Sequence, residues 1–412
     1  MLSRKHVTEA LRAKRDGFES YEQRTGQELE RLAERLARLE AMSAREAREA
    51  LTAVPRPGAY PTDERASGQS VVRRFKEHWA DHREARCWAL SVLGGVTTLA
   101  VDGSQITPST DYTMPVGAVQ VGWFENPHES EGEYVKDIHF EILTPEEMYL
   151  GGTRADQFED QTEGRTFPDA VINRRRFELE CEVLVAHMRR YARETRDEPR
   201  ETPVCFFDGS LVISFAAQIR DRALQRAYVA AVRGLLDVSR ETRVPLVGYV
   251  DTSHARDLVH MLEAFDPSLP AGASITDSQL LATQRLSWGD RGEVFTCARD
   301  DRLFDAGNAG DDYYDRVCFT YLKTAASARP TRVEVPRWVL DAGLIEHVLD
   351  VIRAECVVGT GYPYAIETAD AVAVITARDR ERFYRLFQDF AERELGRQLM
   401  MGRKPLSKRA RR

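Results

Sequence analysis

No run of 18 apolar residues occurs anywhere in the sequence, so no membrane-spanning helix is expected. No G-x-x-x-x-G-K-[ST] loop occurs either, which argues against an enzyme that spends nucleotide triphosphate itself. Cysteine is sparse: six residues (Cys87, Cys181, Cys205, Cys297, Cys318, Cys356), with no C-x-x-C pair. That spacing excludes a zinc ribbon or a disulfide framework and points to a reducing, cytoplasmic setting. Positive charge is not in excess. The net charge of −8 argues against a protein that coats DNA generally. The opening MLSRKHVTEALRAKR is basic but lacks an apolar core, so it does not read as a secretory signal. What is present is 412 residues, 42% apolar and 30% charged, enough for two ordinary domains or one large domain with appendages.

Residues 1–51 read as a helical extension, helical from residue 5, with Leu29, Leu32, Leu36, Leu39 and Met42 forming one apolar stripe. TAVPRPGAYPTDERASGQS (52–70) reads as a Pro/Gly-rich linker. A main domain is expected over 71–395. It opens with a helix near 71–88 and a strand, Val96 to Val101, running into Asp102. Strands at 117–124 and 133–143 follow as a meander, then a long helix from Pro168 to Arg196. The strand VCFFD (204–208), a helix over 216–240 and the strand PLVGYVD (245–251) come next. Helical stretches near 254–264 and 277–287 and strands at 317–324 and 332–336 lead to a helical C-terminal region. This order is that of a mixed-sheet α/β protein. The tail 396–412, with Arg403, Lys404, Lys408, Arg409, Arg411 and Arg412, reads as a solvated segment or a phosphate-contacting one.

Two buried strands end in the same trio, Asp-Gly-Ser, at Asp102 and Asp208. Each alone reads as a turn after a strand. Together, on neighbouring strands, two carboxylates that close must share a proton or hold a divalent cation. The long helix between them offers Glu178, Glu180 and Glu182. Its core face is marked by Phe177, Cys181, Leu184 and Met188. Glu180 lies about 60° from Phe177, Glu178 about 100° and Glu182 about 140°. Glu180, on the flank of the apolar stripe, is the expected third ligand. Glu178 and Glu182 fit a solvated face paired with Arg174, Arg175 and Arg176. In GYPYAIETADAVAVI (361–375), Pro363 marks a first helical turn. Asp370 sits among small apolar residues, where an unpaired carboxylate is costly. Asp251 ends an apolar strand, and it or Ser253 is expected to cap the next helix. His139 and Glu141 share a face with no evident partner. Trp123 and Phe124 are candidates for base stacking or for core.

The order VDGS, a helix glutamate, FFDGSL, VGYVDTS, PTRVEVPRW and GYPYAIETAD resembles the NurA nucleases over about residues 96–390. The resemblance implies an RNase H-like fold, a homodimer, and manganese or magnesium (two ions) used to cut DNA. It also implies a HerA-type hexameric ATPase as partner in processing double-strand breaks. Carried onto this sequence, Asp102, Glu180 and Asp208 match the family's acidic ligands and Tyr362 its C-terminal tyrosine. Family members carry a histidine eight residues after that tyrosine; here the residue is Asp370, an oxygen ligand still suited to Mn²⁺ or Mg²⁺. The expected catalytic set is thus Asp102, Glu180, Asp208, Tyr362 and Asp370, with the four carboxylates as metal ligands.

Four carboxylates suit two ions in phosphodiester hydrolysis. The activity implied is 5′–3′ exonuclease and single-strand endonuclease. The alternatives are a weakly catalytic docking subunit for a translocase, or an RNase H-like enzyme acting on RNA or a hybrid.

Overall fold

The computed structural model describes residues 2–109, 112–129, 132–149, 168–197, 201–265, 275–304, 310 and 312–397. The basic residues of the expected tail, Arg403 to Arg412, lie outside them. Along the chain the helices are α1 (Arg4–Arg12), α2 (Arg15–Glu40), α3 (Ala44–Leu51), α4 (His82–Leu93), α5 (Pro145–Tyr149), α6 (Pro168–Asp197) and α7 (Arg222–Thr242). They continue as α8 (Asp257–Ala264), α9 (Asp277–Ala282), α10 (Arg337–Asp341), α11 (Ile345–Val358), α12 (Tyr364–Ala373) and α13 (Ala377–Glu394). The strands are β1 (Gly58–Pro61), β2 (Val72–Arg73), β3 (Thr98–Ile106), β4 (Gly117–Asn126), β5 (Val135–Leu143) and β6 (Val204–Asp208). They continue as β7 (Leu246–Val250), β8 (Arg291–Gly292), β9 (Phe295–Ala298), β10 (Val317–Leu322) and β11 (Thr331–Pro336). Among the described residues no helix is long and apolar enough to cross a membrane. All six cysteines are thiols outside any disulfide, five of them buried.

The chain forms two compact units. One comprises Met1–His78, Tyr249–Arg302 and Asp312–Arg337. Its strands run in the order β1-β9-β10-β11, with the short β2–β8 pair beside β10. Helices α3 and α8 pack on β1 and α2 packs on α8. Buried charge ties this unit together. Arg332 reaches Asp257 at 2.8 Å and Glu334 at 2.6 Å, all of them at most 1% exposed. A buried ion is tolerated only with such partners, which accounts for the charged positions of the R-V-E-V-P motif.

The other unit comprises Trp79–Gly248, Leu303–Asp311 and Trp338–Arg412. Its strands run in the order β6-β3-β4-β5, with the first residues of β7 beside β6, a mixed α/β sheet flanked by helices. β3 pairs antiparallel with β4, and β4 with β5. β6 runs parallel to β3, from Thr98 beside Val204 to Val101 beside Phe207. Helix α6 packs on β3 and β4 and against α7, and α12 also packs on β3 and β4. Val204, Cys205, Phe206 and Phe207 are all buried, as a strand covered on both faces requires.

Several sequence expectations change. The N-terminal extension is three helices, not one, with the capping box of Ser43 and Glu46 starting α3. The stretch 52–70 holds β1, paired with β9. The helix expected near 71–88 begins at His82, because Asp81 accepts from the amides of Arg83 and Glu84 and fixes the start there. A short 3₁₀ turn and α7, capped by Asp221, replace the single helix over 216–240. Neither Asp251 nor Ser253 caps the next helix. α8 starts at Asp257, and its free amides at Leu258 and Val259 donate to the distant Asp277 carboxylate. Phe124 is 2% exposed and packs its ring against Tyr134 and Tyr364, so it is core and cannot stack bases. Glu141 has a partner, the Arg175 guanidinium, at 2.8 Å on both oxygens.

Candidate metal centre

The site is built where two strands part. The β3–β6 ladder ends at Val101 and Phe207, so Asp102 and Asp208 are the next rung, on strands spaced about 4.8 Å apart. Beyond them β6 stops, and Gly209 takes φ +142°, a conformation that favours glycine and turns the chain away. β3 does not stop. It continues to Ile106 with β4 alongside, so Asp102 is a mid-strand residue rather than a strand end. Half-buried Asp102 therefore borders an opening between strands, while Asp208 is exposed at its mouth.

Alternation along β3 sends neighbouring side chains to opposite faces. Asp102 stands opposite Gly122 on β4, where an added Cβ would meet the backbone of Ala373, so Asp102 faces α12. Asp370, on α12, lies close enough to Asp102 for its charge and a shared proton to raise the proton affinity of the Asp102 carboxyl. Tyr362, just before α12, donates its hydroxyl to Asp208 Oδ1 at 3.3 Å. Gly103 faces the other way, toward α6. A Cβ there would lie 2.3 Å from Glu180 Oε1 and 2.8 Å from Arg176 Cγ, so only glycine lets the Glu180 carboxylate lie on the β3 backbone.

The three helix glutamates separate as their angular positions require. Glu180 is 7% exposed. Glu178 pairs with Arg174 at 3.6 Å and Glu182 with Arg175 at 2.7 Å. Glu180 has Arg176 beside it at 3.6 Å, yet its Oε1 is buried without a hydrogen bond. Arg176 itself donates to the Gly103 carbonyl at 3.0 Å. Counted among the solvated arginines in the sequence, it is the one that closes the site, and its position four residues before Glu180 is the signal that marks it.

Electrostatics agree with this placement. Burial, then the Asp208 and Asp370 charges, push the Asp102 carboxyl up to about 6 against the pull of the Gly103 amide. Burial, opposed by Arg176 and aided by Asp102 and Asp208, pushes Glu180 up to about 7. Groups in this state are carboxylates short of positive charge.

The donor set is all oxygen, the choice for hard divalent ions, and the orphaned Glu180 oxygen is a ready ligand. Among the described residues, however, no three acidic, histidine or cysteine side chains converge on one ion position. The pleat explains this, since Glu180 comes from the α6 face and Asp102 with Asp370 from the α12 face. Side-chain rotation at the exposed Asp208 and Asp370 is the movement that closing on an ion requires.

Solved structures with a similar chain course include NurA with manganese, 10% identical with a TM-score of 0.40, covering 73% of this chain and 90% of that one. NurA bound to dAMP and manganese is 9% identical, TM-score 0.41, covering 70% and 86%. The catalytic domain of human Endonuclease V is 12% identical, TM-score 0.30, covering 74% and 94%. No curated protein matches the chain. The model of the NurA domain family matches residues 96–375, well over half of the sequence, and the chain belongs to the NurA family.

Proposed function

We propose that the protein is a metal-dependent DNA nuclease in which Asp102, Glu180, Asp208 and Asp370 hold Mn²⁺ or Mg²⁺. The observation that carries this reading is the buried Glu180 oxygen, which has no hydrogen bond and only the Arg176 guanidinium at 3.6 Å, set beside a second carboxylate whose proton affinity is raised by burial and by its acidic neighbours. When bound, two ions supply an activated water and stabilisation of the leaving oxygen. The chain's own residues do the rest. Asp208 and Asp370 present carboxylates at the solvent side of the opening, and the Tyr362 hydroxyl beside Asp208 is placed to hold a phosphate oxygen or a water. Arg176 keeps Glu180 against β3. An opening where β6 ends beside the continuing β3 accepts a single strand or frayed end more easily than intact duplex. The family implies 5′–3′ exonuclease and single-strand endonuclease action with a HerA-type ATPase. The missing P-loop is in keeping with a partner that supplies ATP-driven movement.

End-labelled single-stranded DNA, duplex DNA, RNA and RNA–DNA hybrid, each with Mn²⁺, Mg²⁺ or chelator, test the reading directly. Metal-dependent cleavage of DNA is expected, with products appearing from the 5′ end. Cleavage of RNA or hybrid alone would move the substrate class. No cleavage with either metal would leave a docking subunit.

We also propose a homodimer. β5 is the last strand of its sheet, and Val135, Ile138, Phe140 and Ile142 on it are 43–53% exposed, an apolar edge that a soluble monomer seldom leaves open. Light scattering is expected to give twice the chain mass, and Ile142→Lys to shift it to the monomer. A parent protein of single-chain mass contradicts the assembly.

A further inference from the structure

A second carboxylate, outside the proposed ligand set, is buried in the same unit. Glu355 on α11 is 1% exposed. Its Oε1 accepts from the Thr98 hydroxyl at 2.8 Å and its Oε2 from the Ala365 amide at 2.9 Å. The Tyr364 amide is also near enough to favour its charged form, and His128 Nε2 lies 3.6 Å away. Thr98 is the first residue of β3, four before Asp102, and is fully buried. Ala365 and Tyr364 are the first two residues of α12, whose N-cap, Pro363, has no side-chain hydrogen bond to offer.

The first amides of a helix have no intrahelical acceptor and need one when buried. Here a single glutamate from another helix supplies it, and its other oxygen is fastened to the strand that carries Asp102. α12 brings Asp370 to Asp102, and the residue two before it, Tyr362, to Asp208. A carboxylate also stabilises the positive end of the helix it caps. Its sequence neighbours on α11, Ala354 and Cys356, are buried and apolar, so the carboxylate serves Thr98, the α12 amides and the nearby His128 imidazole rather than a polar face of its own helix.

We propose that Glu355 is a positioning residue for the metal centre: by clamping the start of α12 to β3 at Thr98, it sets the distance between Asp370 and Asp102. This rests on the metal-binding reading above, and the test separates the two.

The probe is Mn²⁺ alone, its binding followed by calorimetry and electron paramagnetic resonance, with hydrogen exchange of the Tyr362–Asp370 amides alongside. Glu355→Leu leaves the α12 amides without an acceptor. It is expected to weaken Mn²⁺ binding by about tenfold or more, the scale seen when groups that orient ligands are lost, and to speed exchange across α12. Glu355→Gln is expected to recover most of the affinity, because its amide oxygen can face α12 while the Thr98 hydroxyl turns to accept from its NH₂ group. Ser239→Ala removes two other buried hydrogen bonds of this unit, from the Trp338 indole at 3.1 Å and to the Val244 carbonyl at 2.7 Å. It is expected to lower the melting temperature while leaving Mn²⁺ affinity at the parental value, as a merely structural loss would. If Glu355→Leu does not fold, Thr98→Val cuts only the tie to β3 and is expected to weaken Mn²⁺ binding severalfold. Parental Mn²⁺ affinity in a folded Glu355→Leu or Thr98→Val protein overturns the proposal. A parent that binds no Mn²⁺ overturns the metal-centre reading instead. In that case faster α12 exchange in Glu355→Leu supports the clamp, and unchanged exchange overturns it.

Discussion

Glu180→Gln is expected to lower DNA cleavage by about 10²–10³-fold and to raise the melting temperature of the metal-free protein by a few degrees. The two effects have one source. Losing a ligand carboxylate removes several kcal/mol of stabilisation from the charged transition state, and each factor of ten in rate is about 1.4 kcal/mol. The same carboxylate is a burden on the folded chain without an ion, because burial pushes it from its ordinary 4.5 up to about 7. The folded protein then binds more protons than the unfolded one between about pH 4.5 and 7. Stability therefore falls as pH rises through that window. Glutamine removes that slope, and the gain at neutral pH is on the order of 1–3 kcal/mol. Divalent metal should reverse the order, stabilising the parent and not the variant. Gly103→Ala separates ligand loss from charge loss. Its Cβ, 2.3 Å from Glu180 Oε1, must push the carboxylate off β3, so activity should fall without the gain in stability. Cleavage by Glu180→Gln at the parental rate would remove Glu180 from the ligand set.

The strands and helix that carry these groups are legible because their sequence signals are long and unbroken. VCFFD reads as a buried strand and is one, and the long helix differs by a single residue at its C-terminal end. The flank position of Glu180 follows from helix geometry alone, and its 7% exposure agrees. The short strands β1, β2, β8 and β9 were not legible. Two to four residues cannot show a period, and β1 sits in a segment whose prolines and glycine read as linker. Chemical identity also misled in one place. Asp102-Gly103-Ser104 and Asp208-Gly209-Ser210 are the same trio, yet the first lies inside a strand and the second ends one. The difference is tertiary, since β4 continues to pair with β3 through Ile106 and β6 has only five residues. Glu355 was invisible because its role is set by Thr98, 257 residues away in sequence.

Asp370, where the resemblance implies a histidine, should decide both metal preference and the pH at which the site becomes active. Asp370→Ala is expected to cut cleavage by about tenfold or more with folding intact, since the side chain is exposed and caps nothing. Asp370→His should retain activity and shift preference from Mg²⁺ toward Mn²⁺, because imidazole suits the softer ion and carboxylate the harder one. A second readout comes from Asp102. Both the charge of Asp370 and the proton it shares with Asp102 help hold Asp102 up at about 6. With Asp370 gone, Asp102 loses two of the causes that keep it protonated, so it ionises at lower pH. Two protons shape the acidic limb of the metal-binding and activity profiles. Only the inner one, that of Asp102, should move to lower pH in Asp370→Ala, while the outer one, set by Glu180 at about 7, stays in place even as the maximum rate falls. In the parent the same limb should lie near neutrality, since Asp102 and Glu180 must both lose their protons before an ion can be held. If Asp370 is only an exposed helix residue, both variants will cleave like the parent with either metal and the limb will stay where it was. A limb that moves without any loss of rate would instead make Asp370 a charge neighbour of Asp102 and not a ligand, leaving Asp102, Glu180 and Asp208 as the acidic set.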